Sequence, residues 1–225
     1  ELPGIAISLG MKRPLIVTDQ GIAKLDFMRH IVDGLASANL AAAVSGRTIG
    51  NPVGQHVRDS LADYKKHAAD GIIAIGGGAA LDVGKAVAVV ATNPGDILEY
   101  DAMSKSCRPI NTPLPPVITV PTTAGTGSEI GRSSVISDDK THAKKIIFGG
   151  TLMPKYVVAD PDLTIGLPAM VTATTGFDAL THNVEAFLSK GFHPICDGIA
   201  LEGLYLISKY LRVAVKQPKS LDARS

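Results

Sequence analysis

The amino-acid sequence predicts an α/β protein, a parallel sheet flanked by helices, followed by a segment that is helical only. Three observations carry this reading. The runs Pro14–Thr18 (PLIVT), Ile72–Ile75 and Val117–Val120 are almost uniformly apolar, as strands buried on both faces of a parallel sheet must be. The first two are each followed by a polar or glycine-rich turn and then by apolar residues at helical spacing. Beyond Pro161 the strand signals cease, and Pro168–Ser189 and Pro194–Val215 carry helical periodicity alone.

Taken in order, Glu1–Met11 reads as a short amphipathic helix and Pro14–Thr18 as a buried strand closed by Asp19. Gly21–Asn39 is helical, with Ile22, Leu25, Met28, Ile31, Val32 and Leu35 on one side. Ala41–Val44 allows a short strand. Asn51-Pro52 is a helix-start signal, Asn as N-cap and Pro at the first helical position, for a helix over Val53–Ala69. Gly71–Val90 then runs strand, triple-glycine turn, helix. The prolines of Arg108–Pro116 exclude both helix and central strand. Val117–Val120 follows as a strand, and Thr122–Glu129 (TTAGTGSE) as a loop of hydroxyls and glycines. Arg132–Ser137 and Ala143–Phe148 form a pair around Asp138-Asp139-Lys140, and Tyr156–Ala159 is a last strand. A boundary near Leu163–Pro168 divides the chain into an α/β domain over 1–164 and the beginning of a helical domain over 165–225. The last helix carries Ile195, Ile199, Leu204, Leu206, Ile207 and Leu211, a surface suited to further packing.

With 225 residues the chain can bury a substantial core without disulfide staples. It is 45% hydrophobic and 19% charged with a net charge of +1, so no basic excess points to nucleic acid or an anionic membrane. Specificity must come from a site. Cys107 and Cys196 lack CxxC spacing, and no leader or membrane-length apolar run stands out, which sets a reducing, cytoplasmic expectation.

Glycines at a strand-to-helix turn let a ligand approach the N–H groups of a helix N-terminus, so Gly76–Gly78 is a place for an anion, above all a phosphate. The turn matches neither GxGxxG nor the P-loop, since GGGAAL lacks the third glycine and Ala79 and Ala86 stand where the P-loop needs Gly and Ser/Thr. Asp19 ends a strand where a carboxylate can hydrogen-bond a ribose, and it would repel a 2′-phosphate, favouring NAD over NADP; an ordinary turn aspartate is the plainer reading. Asp82 and Lys85, three apart on a helix, either pair or face the cleft. Lys144 and Lys145 are similarly open. Asp178 and His182, at i and i+4, either hydrogen-bond or share a divalent cation.

Together the stretches LIVTDQGI (Leu15–Ile22), Asn51-Pro52, DGIIAIGGGAALDVGKA (Asp70–Ala86), ITVPTTAGTGSE (Ile118–Glu129) and GFDALTHNVEAF (Gly176–Phe187) resemble the iron-containing alcohol dehydrogenase family. The resemblance implies a Rossmann-like nucleotide-binding domain followed by an all-helical, metal-binding domain. By position, it implies that Asp19 holds the adenosine ribose, that Asn51 lines the adenine side, and that Gly77, Gly78, Ala79 and Asp82 form the pyrophosphate cradle. Thr122, Thr123 and Thr126 would add hydroxyls along the cofactor, with Lys144 rather than Lys145 reaching it. Asp178 and His182 would be two ligands of a divalent iron. Ala79 replaces the family's usual Ser, removing one phosphate-directed hydroxyl. The implied activity is NAD-dependent, iron-assisted hydride transfer between a small alcohol and its aldehyde or ketone, with no separate acid–base residue identified. The family's two further metal ligands are histidines of the later helical half, and none follows His193, while the strong match begins near Leu15. A chain truncated at both ends is therefore expected. The open alternatives are a nucleotide-binding module without catalysis and a zinc glycerol-dehydrogenase type, Asp and His being unable to distinguish Fe2+ from Zn2+. A homo-oligomer through an edge strand or the last helix is compatible with the sequence.

Overall fold

The computed structural model describes residues 1–225. Two compact units make up the chain, one of Glu1–Pro121 with Ser128–Val158, the other of Thr122–Gly127 with Ala159–Ser225.

The first unit is a Rossmann-like α/β layer structure. Its elements are α1 (Leu2–Ser8), β1 (Pro14–Asp19), α2 (Asp26–Ser37), β2 (Ala43–Thr48), α3 (Gly54–His67), β3 (Gly71–Gly76), α4 (Gly78–Thr92), β4 (Val117–Pro121), β5 (Ser133–Ser137), β6 (Lys144–Phe148) and β7 (Tyr156–Val157). Five strands form one parallel sheet in the order β2-β1-β3-β4-β7, and β5-β6 is a separate antiparallel hairpin. Every residue of β3 is buried, which is why its sequence is apolar on both faces. Leu15 and Val17 of β1, Ile72 and Ala74 of β3 and the apolar residues of α4 share one core. Helix α4 lies so close to the sheet that a Cβ on Gly84 would meet the Ala74 Cβ at 2.6 Å. Ten of its fifteen residues are buried, so it is apolar nearly all round rather than along one stripe.

Two element boundaries differ from the sequence reading for tertiary reasons. Helix α3 starts at Gly54, not at the Asn51-Pro52 signal, because Val53 is held extended in a parallel bridge with Ser137, whose N–H donates to the Pro52 carbonyl at 2.8 Å. His56 caps this helix: its Nδ1 accepts the Val53 N–H at 3.3 Å, and burial holds its pKa below the usual histidine value. Strand β2 begins later than Ala41 and runs to Thr48 because its pairing with β1 extends to Asp19.

In the second unit, α5 (Ala169–Phe187) and α6 (Pro194–Lys216) pack at two close approaches. A Cβ on Gly176 would overlap Leu211, and one on Gly203 would overlap Asn183. Phe177, Phe192, Ile195, Ile199 and Tyr205 remain exposed. No helix of the chain is long and apolar enough to cross a membrane.

Candidate functional site

The carboxyl edge of the parallel sheet gathers the first set of site residues. Helix α4 opens at Gly77 with no side-chain cap, so its leading N–H groups are not taken by the chain's own side chains. Gly76, immediately before, adopts φ +146°, and a Cβ there would strike the Ala80 Cβ at 2.8 Å. Only glycine fits this position. The sequence reading placed an anion at the whole turn Gly76–Gly78; the conformational demand falls on its first glycine. Beside the turn stands Asp19, half-buried, its Oδ2 3.6 Å from where a Gly76 Cβ would lie. Its Oδ1 accepts the Gly21 and Ile22 N–H groups, each at 2.8 Å. Asp19 is thus the turn aspartate of the plainer reading and, through Oδ2, a carboxylate at the edge of the glycine turn. Two buried hydroxyls, Thr18 and Thr48, lie at the ends of β1 and β2 without a hydrogen-bond partner, and no local sequence signal announced them.

Asp82 and Lys85 pair at 3.0 Å. Lys85 is 1% exposed, and its Nζ also donates to the Ser128 carbonyl at 2.8 Å, to Ser128 Oγ at 3.0 Å and to the Ser133 carbonyl. The Asp82 carboxylate accepts Ser128 Oγ–H and, on its other oxygen, the Val135 N–H at 3.0 Å. Both Asp82 oxygens are therefore engaged by the chain itself, and the pair fastens Ser128–Val135 onto α4. Sequence reading found the pairing but not this anchorage.

The hydroxyl loop starts at the same edge. Pro121, the end of β4, is in register with Gly76, so Thr122 follows directly beyond it and is buried. Thr123 is half-buried and Thr126 exposed. Gly125 lets this loop lie on α5, since a Cβ would meet the Thr175 carbonyl oxygen at 2.6 Å. Asn51 is exposed, three residues past β2. Lys144 is exposed on the separate hairpin, whereas Lys145 is paired with the buried Asp101 at 3.1 Å. Ala79, partly exposed in the first turn of α4, contributes backbone only.

Asp178 and His182 face each other one turn apart on α5, His182 Nε2 lying 3.6 Å from Asp178 Oδ2, with the side chains about half exposed. That is too long for a hydrogen bond. Two donors each about 2.1 Å from one divalent cation stand roughly 3.0–3.4 Å apart, so the pair needs only a small adjustment to share one. No group of three or more His, Cys, Asp or Glu side chains in the chain is placed to hold a metal.

The chain also resembles known proteins along most of its length. Residues 1–161 match the family model for iron-containing alcohol dehydrogenase, and 172–225 that for the C-terminal part of the same family. The chain is 39% identical over 217 residues to 4-hydroxybutyrate dehydrogenase of Cupriavidus necator, covering 96% of this chain and 56% of that protein. It is 38% identical over 224 residues to 1,3-propanediol dehydrogenase of Klebsiella pneumoniae, covering 96% and 55%. Among solved structures, a 1,3-propanediol oxidoreductase superposes with a TM-score of 0.93 at 37% identity, covering 99% of this chain and 57% of that one. Sulfoacetaldehyde reductase from Bifidobacterium kashiwanohense in complex with NAD+ does so with a TM-score of 0.89 at 33% identity, covering 100% and 58%. The chain spans a little over half the length of these relatives. With the matched models extending over most of its residues, the chain belongs to the iron-containing alcohol dehydrogenase family.

Proposed function

We propose that the α/β unit binds NAD, and that the whole protein is an NAD-dependent alcohol dehydrogenase acting on a small alcohol and its aldehyde or ketone. The observation that carries this is the sheet edge itself: an uncapped α4 N-terminus behind a glycine that admits no Cβ, with the free oxygen of Asp19 beside it. The leading N–H groups of α4 hold a pyrophosphate, as helix N-termini hold anions. Asp19 Oδ2 accepts from a ribose hydroxyl and repels a 2′-phosphate, which favours NAD over NADP. Thr122, Thr123 and Thr126, with Asn51 and Lys144, supply further polar contacts to the same cofactor. The relative solved in complex with NAD+ supports the assignment.

Asp178 and His182 fit a divalent iron as two of its ligands. When bound, the nicotinamide accepts or donates hydride, and the metal acts as a Lewis acid on the substrate oxygen. The protein's own part is to hold each of them, the glycine turn and Asp19 the cofactor, Asp178 and His182 the metal. A second reading is a nucleotide-binding module without catalysis for this chain by itself. Zinc in place of iron fits the same pair.

Fluorescence titration with NADH, alongside metal analysis of the same preparation, tests these assignments. Saturable NADH binding is expected, unchanged in Asp178→Ala and His182→Ala, while both substitutions abolish metal-dependent alcohol oxidation by the whole protein. Retained turnover in either variant overturns the metal assignment, and absence of NADH binding overturns the nucleotide assignment.

A further inference from the structure

Lys85 is a charged side chain with almost no exposure, and its hydrogen bonds go to distant parts of the chain. All its partners other than Asp82 belong to one segment, Ser128–Ser133, with the Gly131 carbonyl a more distant contact at 3.5 Å. Ser128 is the residue at which the chain re-enters the α/β unit after Thr122–Gly127. Its neighbour is pinned from another direction, the Thr119 hydroxyl of β4 donating to the Glu129 carbonyl at 2.9 Å. The opposite end of the loop is equally fixed, since Pro121 is paired in register with Gly76. Both ends of the hydroxyl loop are thus tied to the glycine turn or to the helix it starts.

We propose that Lys85, with Asp82, is a positioning residue for the hydroxyl loop, setting the affinity for the nicotinamide half of the cofactor without touching it. This rests on the NAD reading above. The ammonium donates to two carbonyls and one hydroxyl, so Ser128 cannot shift without breaking charge-assisted bonds in a site that water does not reach. Loops gain affinity when they are held in the bound conformation beforehand. The helix that presents N–H groups to the phosphates thereby also holds the end of the loop bearing Thr122, Thr123 and Thr126.

The test compares two ligands of the same site. On this assignment ADP draws on the glycine turn, Asp19 and Asn51, whereas NADH also draws on the loop. In Lys85→Met and, independently, Ser128→Ala, the NADH dissociation constant is expected to rise by roughly tenfold or more, the scale of losing a hydrogen bond to a charged group, while the ADP constant stays within about twofold. Ser128→Ala leaves the buried pair in place, so it reads the loop even where Lys85→Met folds poorly. Equal losses for both ligands in Ser128→Ala mark a general structural role and overturn the proposal, as do unchanged constants for both. Failure of the unsubstituted chain to bind either ligand overturns the NAD reading along with it, whereas normal binding with unaffected variants overturns this inference alone.

Discussion

Gly76→Ala is the perturbation for which the structure sets the clearest magnitude. At φ +146° an L residue sits in a region that is essentially reserved for glycine, costing about 1–3 kcal/mol. The added methyl would also meet the Ala80 Cβ at 2.8 Å and approach Ile22 Cδ1 at 3.4 Å, inside a turn whose neighbours are strand and helix rather than loop. Overpacking of this kind costs about 1–3 kcal/mol more. The sum, about 2–6 kcal/mol, is a large share of the roughly 5–15 kcal/mol that separates a folded domain from its unfolded chain. For a chain of this size it lowers the melting temperature by about 2–4 °C per kcal/mol. The control is Gly198→Ala, in the exposed part of α6, where nothing lies within 4 Å of the added carbon. There the same chemical change raises stability by about 0.5–1 kcal/mol through helix propensity. Urea unfolding followed by far-UV circular dichroism measures both. A Gly76→Ala loss below about 1 kcal/mol, or a change of the same sign at both positions, would refute the reasoning.

Three further outcomes are expected. His56 caps α3 as a neutral acceptor; because its folded pKa is depressed, chiefly by burial, against smaller opposite effects of Asp59 and Asp139, the unfolded chain takes up the proton first as pH falls below about 6.5. Stability is thus complete above that pH and declines through the window below it; His56→Gln, whose amide can still accept the Val53 N–H, should flatten the decline in denaturation curves between pH 7.5 and 5.5. Gly176→Ala should destabilise by about 1–3 kcal/mol through contact with Leu211, and in a Leu211→Ala background the substitution should become neutral or favourable, which paired thermal melts will show. Lys85→Met leaves Asp82 as an uncompensated carboxylate and should cost about 3–5 kcal/mol, most of it regained in Lys85→Met/Asp82→Asn as read by urea midpoints.

The parts of the fold legible in the sequence are those where one physical cause acts locally. Strands β1, β3 and β4 announce themselves because burial on both faces leaves no room for polar residues. The β5-β6 hairpin is legible because Asp138 accepts the Lys140 and Thr141 N–H groups within its own turn. Asp19 and the glycines are legible for the same reason, each being a short-range signal at the end of a strand. The start of α3 was not, because a bridge from Val53 to Ser137 overrides the Asn-Pro signal. Nor was the anchorage of the loop, since Lys85 reaches Ser128 and Ser133 across 43 and 48 residues. A lysine three residues after an aspartate looks the same on a helix whether it is solvated or buried.

That ambiguity is informative once the burial is known. Removing an ammonium and a carboxylate from water costs several kcal/mol each, and an apolar pair of similar volume would often be as stable or more so. Stability by itself therefore gives little reason for Lys85 and Asp82 in a helix whose other buried positions are apolar or glycine. An apolar pair, however, could not bind two carbonyls, a hydroxyl and an N–H of the segment Ser128–Val135. Directional bonds fix a position, whereas hydrophobic contact fixes only proximity. The charge sits where a loop end must be held in one place, one to two turns behind the N–H groups that face the sheet edge.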